Sequence, residues 1–169
     1  MGGFFYAGIC IFNVQNKKMK KQFLLILMSF LVLHQLKAQS SIDSVKNAVN
    51  NLFIAMKTTD QALLTSCFAD SAVLQTITKN REGQIIVVNQ KVADFATSIN
   101  RFAKGDLDEQ ISFDVVKVDG DLAIAWTPYK FYLKTVFSHC GVNSFQLVRQ
   151  KNGWKIQYLI DTRRKTNCE

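Results

Sequence analysis

From Asp121 to Arg163 the chain reads as three strands joined by tight turns, and no other stretch limits its fold so sharply. Asn152-Gly153 is the best turn signal, because a two-residue type I′ loop needs positive φ at both centres and Asn-Gly supplies it. Gly120 after Asp119 is a second signal and Lys134-Thr135 a weaker third, and Ile111 to Val118 adds a fourth strand. If each turn is a two-residue loop, the register follows by counting, since opposed residues of an antiparallel pair share a face. Phe113, Val115, Leu122, Ile124, Trp126, Phe145, Leu147, Trp154, Ile156, Tyr158 and Ile160 then fall on one face, which needs a cover. Ala123, Ala125, Thr127, Tyr129, Ser144, Gln146, Asp161 and Arg163 fall on the other, which can meet water or another subunit. Pro128 lacks a ladder donor, so a bulge or bend is expected there.

The segments ahead of these strands supply the cover. Ser40-Ser41 is a plausible helix start, and Val45, Val49, Leu52, Phe53 and Met56 form one apolar stripe at helical spacing. A shorter helix follows over Gln61 to Phe68 with Asp60 near its start, and Val92, Phe95, Ile99 and Phe102 mark a third over Gln90 to Ala103, stopped by Gly105. Between them Val73 to Thr78 and Gln84 to Val88 are short β-branched runs around a turn, which is the pattern of a hairpin. Helices first and long meander strands last mean an α+β class: a cone-shaped curved antiparallel sheet covered on one face by three helices.

The 169 residues suffice for one domain, and the first 38 are not expected to be part of it. Lys17, Lys18, Lys20 and Lys21 precede an apolar run from Phe23 to Leu33, and Ala38 is a small residue suited to cleavage. Residues 19–38 therefore read as a secretory signal, with residues 1–18 a leader extension or the product of a wrongly assigned start; an uncleaved anchor is the alternative. Removing residues 1–38 leaves sixteen basic against thirteen acidic residues, so the net charge falls from +8 to +3. That balance does not point to nucleic acid, and Arg163-Arg164-Lys165 reads as a solvated tail. Cys67, Cys140 and Cys168 follow the signal, so one thiol stays unpaired within a monomer; Cys140 falls near Lys165, and Cys168 reaches it only if the tail turns back. Cys67, in a helical context, reads as a buried small hydrophobe.

Three features together resemble a known superfamily: the helix pair, the run Phe68-Ala69-Asp70-Ser71-Ala72-Val73 leading into a strand, and the closing Gly153-Trp154-Lys155-Ile156 hairpin. They resemble the nuclear transport factor 2-like superfamily, also called SnoaL-like, over about residues 42–163 within a domain spanning residues 40–165. The runs Ser138 to Phe145 and Tyr158 to Arg164 are similar to an exported bacterial group of that superfamily, some of whose members are described as lumazine-binding. The resemblance implies the cone fold and leaves function open, because this scaffold hosts isomerases, dehydratases, immunity proteins and non-catalytic binders.

Steroid-isomerase-like members place an acidic base inside an apolar cone, whereas Val73, Leu74, Gln75 and Thr76 offer no carboxylate near the first strand, and Asp70 suits a turn role better. The counted register puts Phe113, Trp126, Asn143 and Thr162 in one row, with His139 a few residues away. Trp126, His139, Asn143, Thr162 and Tyr132 thus make a candidate ligand-binding mouth at the end of the sheet where Gly141 and Pro128 supply little bulk. Read blandly, His139 and Asn143 are hydrogen-bonded structural residues. A metal site or cysteine nucleophile is not expected, since His139 and Cys140 are adjacent and point to opposite faces, and no cofactor motif is present. The expectation is an exported, periplasmic or secreted, small-molecule-binding or scaffold domain for a small hydrophobic ligand, dimeric through the uncovered sheet face and not membrane-inserted after cleavage. An isomerase or dehydratase using His139, and a protein-interaction or immunity module, are the alternatives.

Overall fold

The computed structural model describes Gln22 and residues 39–168; the leader readings, and the apolar run Phe23 to Leu33 with them, lie outside these. The chain divides into Met1–Ser40 and Ser41–Glu169, and the second unit carries the fold. No helix among the described residues is long and apolar enough to cross a membrane.

Residues 39–58 are helical (α1), so the helix is already formed ahead of Ser40-Ser41, and its stripe of Val45, Val49, Leu52, Phe53 and Met56 is buried as the spacing requires. Thr59, at φ 53°, ends it, and Asp60 caps α2 (Gln61–Ser66) by accepting from the Leu63 amide at 2.9 Å. Strand β1 (Phe68–Lys79) starts five residues before the expected Val73 and takes in Asp70. Asn80 Oδ1 accepts from the amides of Glu82 and Gln84 and turns the chain into β2 (Ile85–Gln90). Helix α3 (Val92–Ile99) is shorter than expected, and Gly105, at φ 90°, follows it and donates to the Lys57 carbonyl. The remaining strands are β3 (Leu107–Ile111), β4 (Val115–Asp119), β5 (Leu122–Leu133), β6 (Val136–Gln150) and β7 (Gly153–Thr162).

These form one curved sheet in the order β2-β1-β7-β6-β5-β3, with β4 beside β5. Every pairing is antiparallel except β1 with β7, which is parallel. Val115 opposes Trp126, where the count had Phe113; the shift is two residues, so the two strands still share the faces expected of them. Lys134 and Thr135 both have positive φ and close the expected two-residue loop. Immediately beyond it the register shifts: Tyr132 opposes Phe137, but Phe131 opposes His139, leaving Ser138 as an extra residue in β6. Because side chains alternate with period two, that bulge swaps the faces of β5 relative to β6. Ala123 and Ala125 therefore join Leu147 and Phe145 in the core, while Leu122, Ile124 and Trp126 stand on the uncovered face, 40–51% exposed.

A second shift, between Gln146 and Leu147, leaves Gln157 extra in β7, so Leu159 and Asp161 turn inward where the count had Tyr158 and Ile160. Pro128 is not the site of either bulge. It sits where β5 passes from β4 to β3, with Asp114 donating to Trp126 and Ser112 to Pro128, a stretch of edge where a missing amide costs little.

Candidate functional site

The cone closes at one end and opens at the other. Phe145, Leu147, Trp154 and Ile156 meet the α1 stripe at the Asn152 end and fill it. Toward the opposite end of β6 and β7 a cavity of about 310 Å³ remains. Its apolar walls come from Leu52, Phe53 and Met56 of α1, Phe95 and Ile99 of α3, and Leu74, Leu107, Phe131 and Leu159 of the sheet.

Polar groups gather on the sheet side. Thr76, Asp161, Asn143 and Thr127 form one row across β1, β7, β6 and β5. Asp161 is buried and accepts from Thr76 Oγ1 at 2.5 Å, Arg163 Nε at 2.8 Å and the Tyr129 hydroxyl at 3.2 Å. Tyr129 also donates to the Thr162 carbonyl at 2.9 Å. Gly141 permits this approach, since a Cβ there would lie 1.8 Å from the Thr162 oxygen and 2.8 Å from the Tyr129 ring. The room expected beside Gly141 is thus occupied, and the cavity lies to one side of it.

Glu109 supplies a carboxyl that sequence reasoning missed. Leu107, Glu109 and Ile111 alternate toward the interior, and Asn143 Nδ2 donates to Glu109 Oε1 at 2.8 Å. Burial pushes the Glu109 carboxyl from its ordinary 4.5 to about 7, and the Asp161 charge adds to this against the Asn143 bond and the Arg163 cation. Burial likewise lowers His139, helped by Arg163 and Lys165 and opposed by Asp161, so its ring is neutral at pH 7. The ring packs between Tyr129 and Phe131, and Nδ1 lies 3.1 Å from Ser138 Oγ. Burial, then Asp161 and Glu109, keep the Tyr129 hydroxyl protonated. Burial of Arg163 opposes its charge, but the bond to Asp161 and the charges of Asp161, Tyr129 and Glu109 together more than offset this and its pKa rises.

Of the five residues expected at the mouth, His139 and Asn143 line the cavity. Trp126 is 47% exposed on the uncovered face, a consequence of the Ser138 bulge. Thr162 and Tyr132 do not line it either: the Thr162 hydroxyl accepts from the Val142 amide at 3.2 Å, and Tyr132 packs edge-on against Phe137. Arg163, read as part of a solvated tail, instead reaches the cavity beside Asp161. Asp70 is exposed and lies away from it. Among the described residues no three His, Cys, Asp or Glu side chains converge as metal ligands. The site can accept hydrogen bonds, donate them, and gain or lose one proton near neutrality at Glu109.

No protein-family model matches the sequence, and no curated protein matches it. Solved structures do. An NTF2-like protein of unknown function from Silicibacter pomeroyi superposes with a TM-score of 0.61 at 17% identity, covering 75% of this chain and 98% of that one. An NTF2-like protein with a cystatin-like fold from Novosphingobium aromaticivorans gives 0.61 at 12% identity, covering 80% and 90%. A third from the same family, provisionally called a dehydratase, from Streptomyces avermitilis, gives 0.55 at 16% identity, covering 75% and 97%. At these identities the likeness establishes the fold.

Proposed function

We propose that this chain, whose fold is that of the nuclear transport factor 2-like proteins, is an exported domain that binds a small, largely apolar molecule bearing one polar end. The observation that carries this reading is the cavity of about 310 Å³, apolar on the helix side and polar at Glu109, Asn143 and His139. Such an arrangement, greasy walls with a few convergent polar groups, is what small-molecule sites share. Export is supported by the basic-then-apolar leader and by the Cys140–Cys168 disulfide, since disulfides persist in oxidising compartments. The test is a titration of the protein with a panel of small cyclic ketones and lactams, followed by the NMR signals of Tyr129 and His139. Binding should move both, and Leu159→Trp, which fills the cavity, should abolish the response. Ligands that bind the variant as well as the parent would place binding elsewhere.

A second reading is favoured by one observation: a carboxyl with a pKa of about 7 lining the same cavity as a neutral histidine suits proton transfer next to a carbonyl, as in isomerases and dehydratases. Glu109 then acts as the base in place of His139, which is left to hydrogen-bond the substrate oxygen. Turnover would rise as pH passes through about 7 and vanish in Glu109→Gln; turnover that survives the substitution rules the role out.

We also infer that two copies associate through the uncovered sheet face. The residues responsible are Val115, Leu122, Ile124 and Trp126, 38–51% exposed, in place of the small residues that the sequence count had put there.

A further inference from the structure

We infer that the Cys140–Cys168 disulfide is a redox-sensitive clamp on the mouth of the cavity, holding Arg163 in place through the strand end that carries it. The inference does not depend on what the cavity takes. The regular ladder between β6 and β7 ends at Asn143 and Asp161. Beyond that, an isolated bridge pairs Cys140 with Arg164 through two backbone bonds of 2.9 Å. Arg163 lies one residue inside this bridge and extends into the mouth, donating to Asp161 at 2.8 Å and to Thr76 Oγ1 at 3.2 Å.

The tail then doubles back. Arg164 Nε donates to the Asn167 carbonyl at 3.0 Å, and Asn167 takes φ 55°, which returns Cys168 to within 5.8 Å of Cys140 between Cα atoms. Cys140 and His139 are neighbours in β6, so the covalent link sits on the outer side of the strand whose inner side lines the cavity. Those two bridge bonds, a few side-chain bonds and the disulfide are what hold an exposed strand end against fraying.

Accessibility sets the direction of reduction. Cys140 is 2% exposed, whereas Cys168 is half-buried. The thiolate of a dithiol reductant therefore attacks Cys168 Sγ; the disulfide bond breaks, and Cys140 Sγ departs with the electron pair and takes a proton. The second thiol of the reductant then displaces Cys168 from the mixed disulfide, so the chain gains two thiols and the reductant becomes a disulfide. The freed tail gives up the Cys140–Arg164 bridge, and Arg163 leaves the mouth with it.

The experiment is amide hydrogen exchange on the full chain, oxidised, reduced with a dithiol, and as Cys168→Ser. Exchange at Cys140 and Arg164 should accelerate at least about tenfold on reduction and in the variant, with Phe145 and Ile156 unchanged. The Glu109 carboxyl should titrate at higher pH as the Arg163 cation withdraws. Unchanged exchange at Cys140 and Arg164 would overturn the clamp, because the tail would then be held without the bond. Equal acceleration at Phe145 and Ile156 would overturn it too, by making the disulfide a staple of the whole domain.

Discussion

Glu109 shows how one residue couples the site to stability. Its carboxyl is raised in the fold from 4.5 to about 7, so between these values the native chain holds a proton that the unfolded chain has released. Stability contributed by this group is therefore present at low pH and is lost as pH rises through that window, by about 3 kcal/mol in all. Glu109→Gln keeps an acceptor for Asn143 and carries no charge. It should match the parent at pH 4 and exceed it by up to about 3 kcal/mol at pH 8 in urea denaturation; parallel curves for the two proteins would show that Glu109 is not the group responsible. In sequence Glu109 was legible only as a carboxylate between Leu107 and Ile111 at strand spacing, in a stretch whose charges argue against a strand. His139 and Asn143 were found because a polar residue among apolar neighbours is visible to counting. Asp161 and Tyr129 were missed because counting put them on the wrong face.

Strand β6 carries both the correct and the incorrect parts of the sequence reading. The turn at Gly120 was legible because positive φ has a residue signature, whereas Lys134 and Thr135 take positive φ without one. At Asn152-Gly153 the chain does turn, but Gln150 opposes Gly153, so the loop is Lys151-Asn152 and of the Asn-Gly pair Gly153 alone has positive φ. The bulges at Ser138 and Gln157 were not legible, because an extra residue in a strand is set by packing against neighbours and leaves no local mark. Gly141 lies in this strand for want of space, not for flexibility. Gly141→Ala would force Tyr129 and the Thr162 backbone apart and cost about 3 kcal/mol, as overpacking does. A shift in the urea midpoint worth less than about 0.5 kcal/mol, the range of an ordinary surface change, would mean that the strand pair yields.

At the scale of the whole molecule, helices on one face of a curved sheet were legible from periodicity alone, whereas the parallel contact of β1 with β7 was not, because it joins segments that no turn connects. The uncovered face makes a prediction of its own. Light scattering at tens of micromolar should report a dimer, and Trp126→Lys should return it to monomer without lowering the melting temperature; a monomeric parent would remove the interface. The parallel contact bears on how the chain is made. Thr76 reaches Asp161 across a separation of 85 residues, so the first strand finds its central neighbour only when the last has been synthesised. Closing so long a loop delays folding, and a chain emerging from the ribosome with its C-terminal segment still missing has only β2 to pair with β1, which leaves the other edge of β1 open. On the export reading proposed above, a channel that takes only unfolded polypeptide would meet the chain in that condition, and the final strand would be the trigger that commits the domain to fold on the far side.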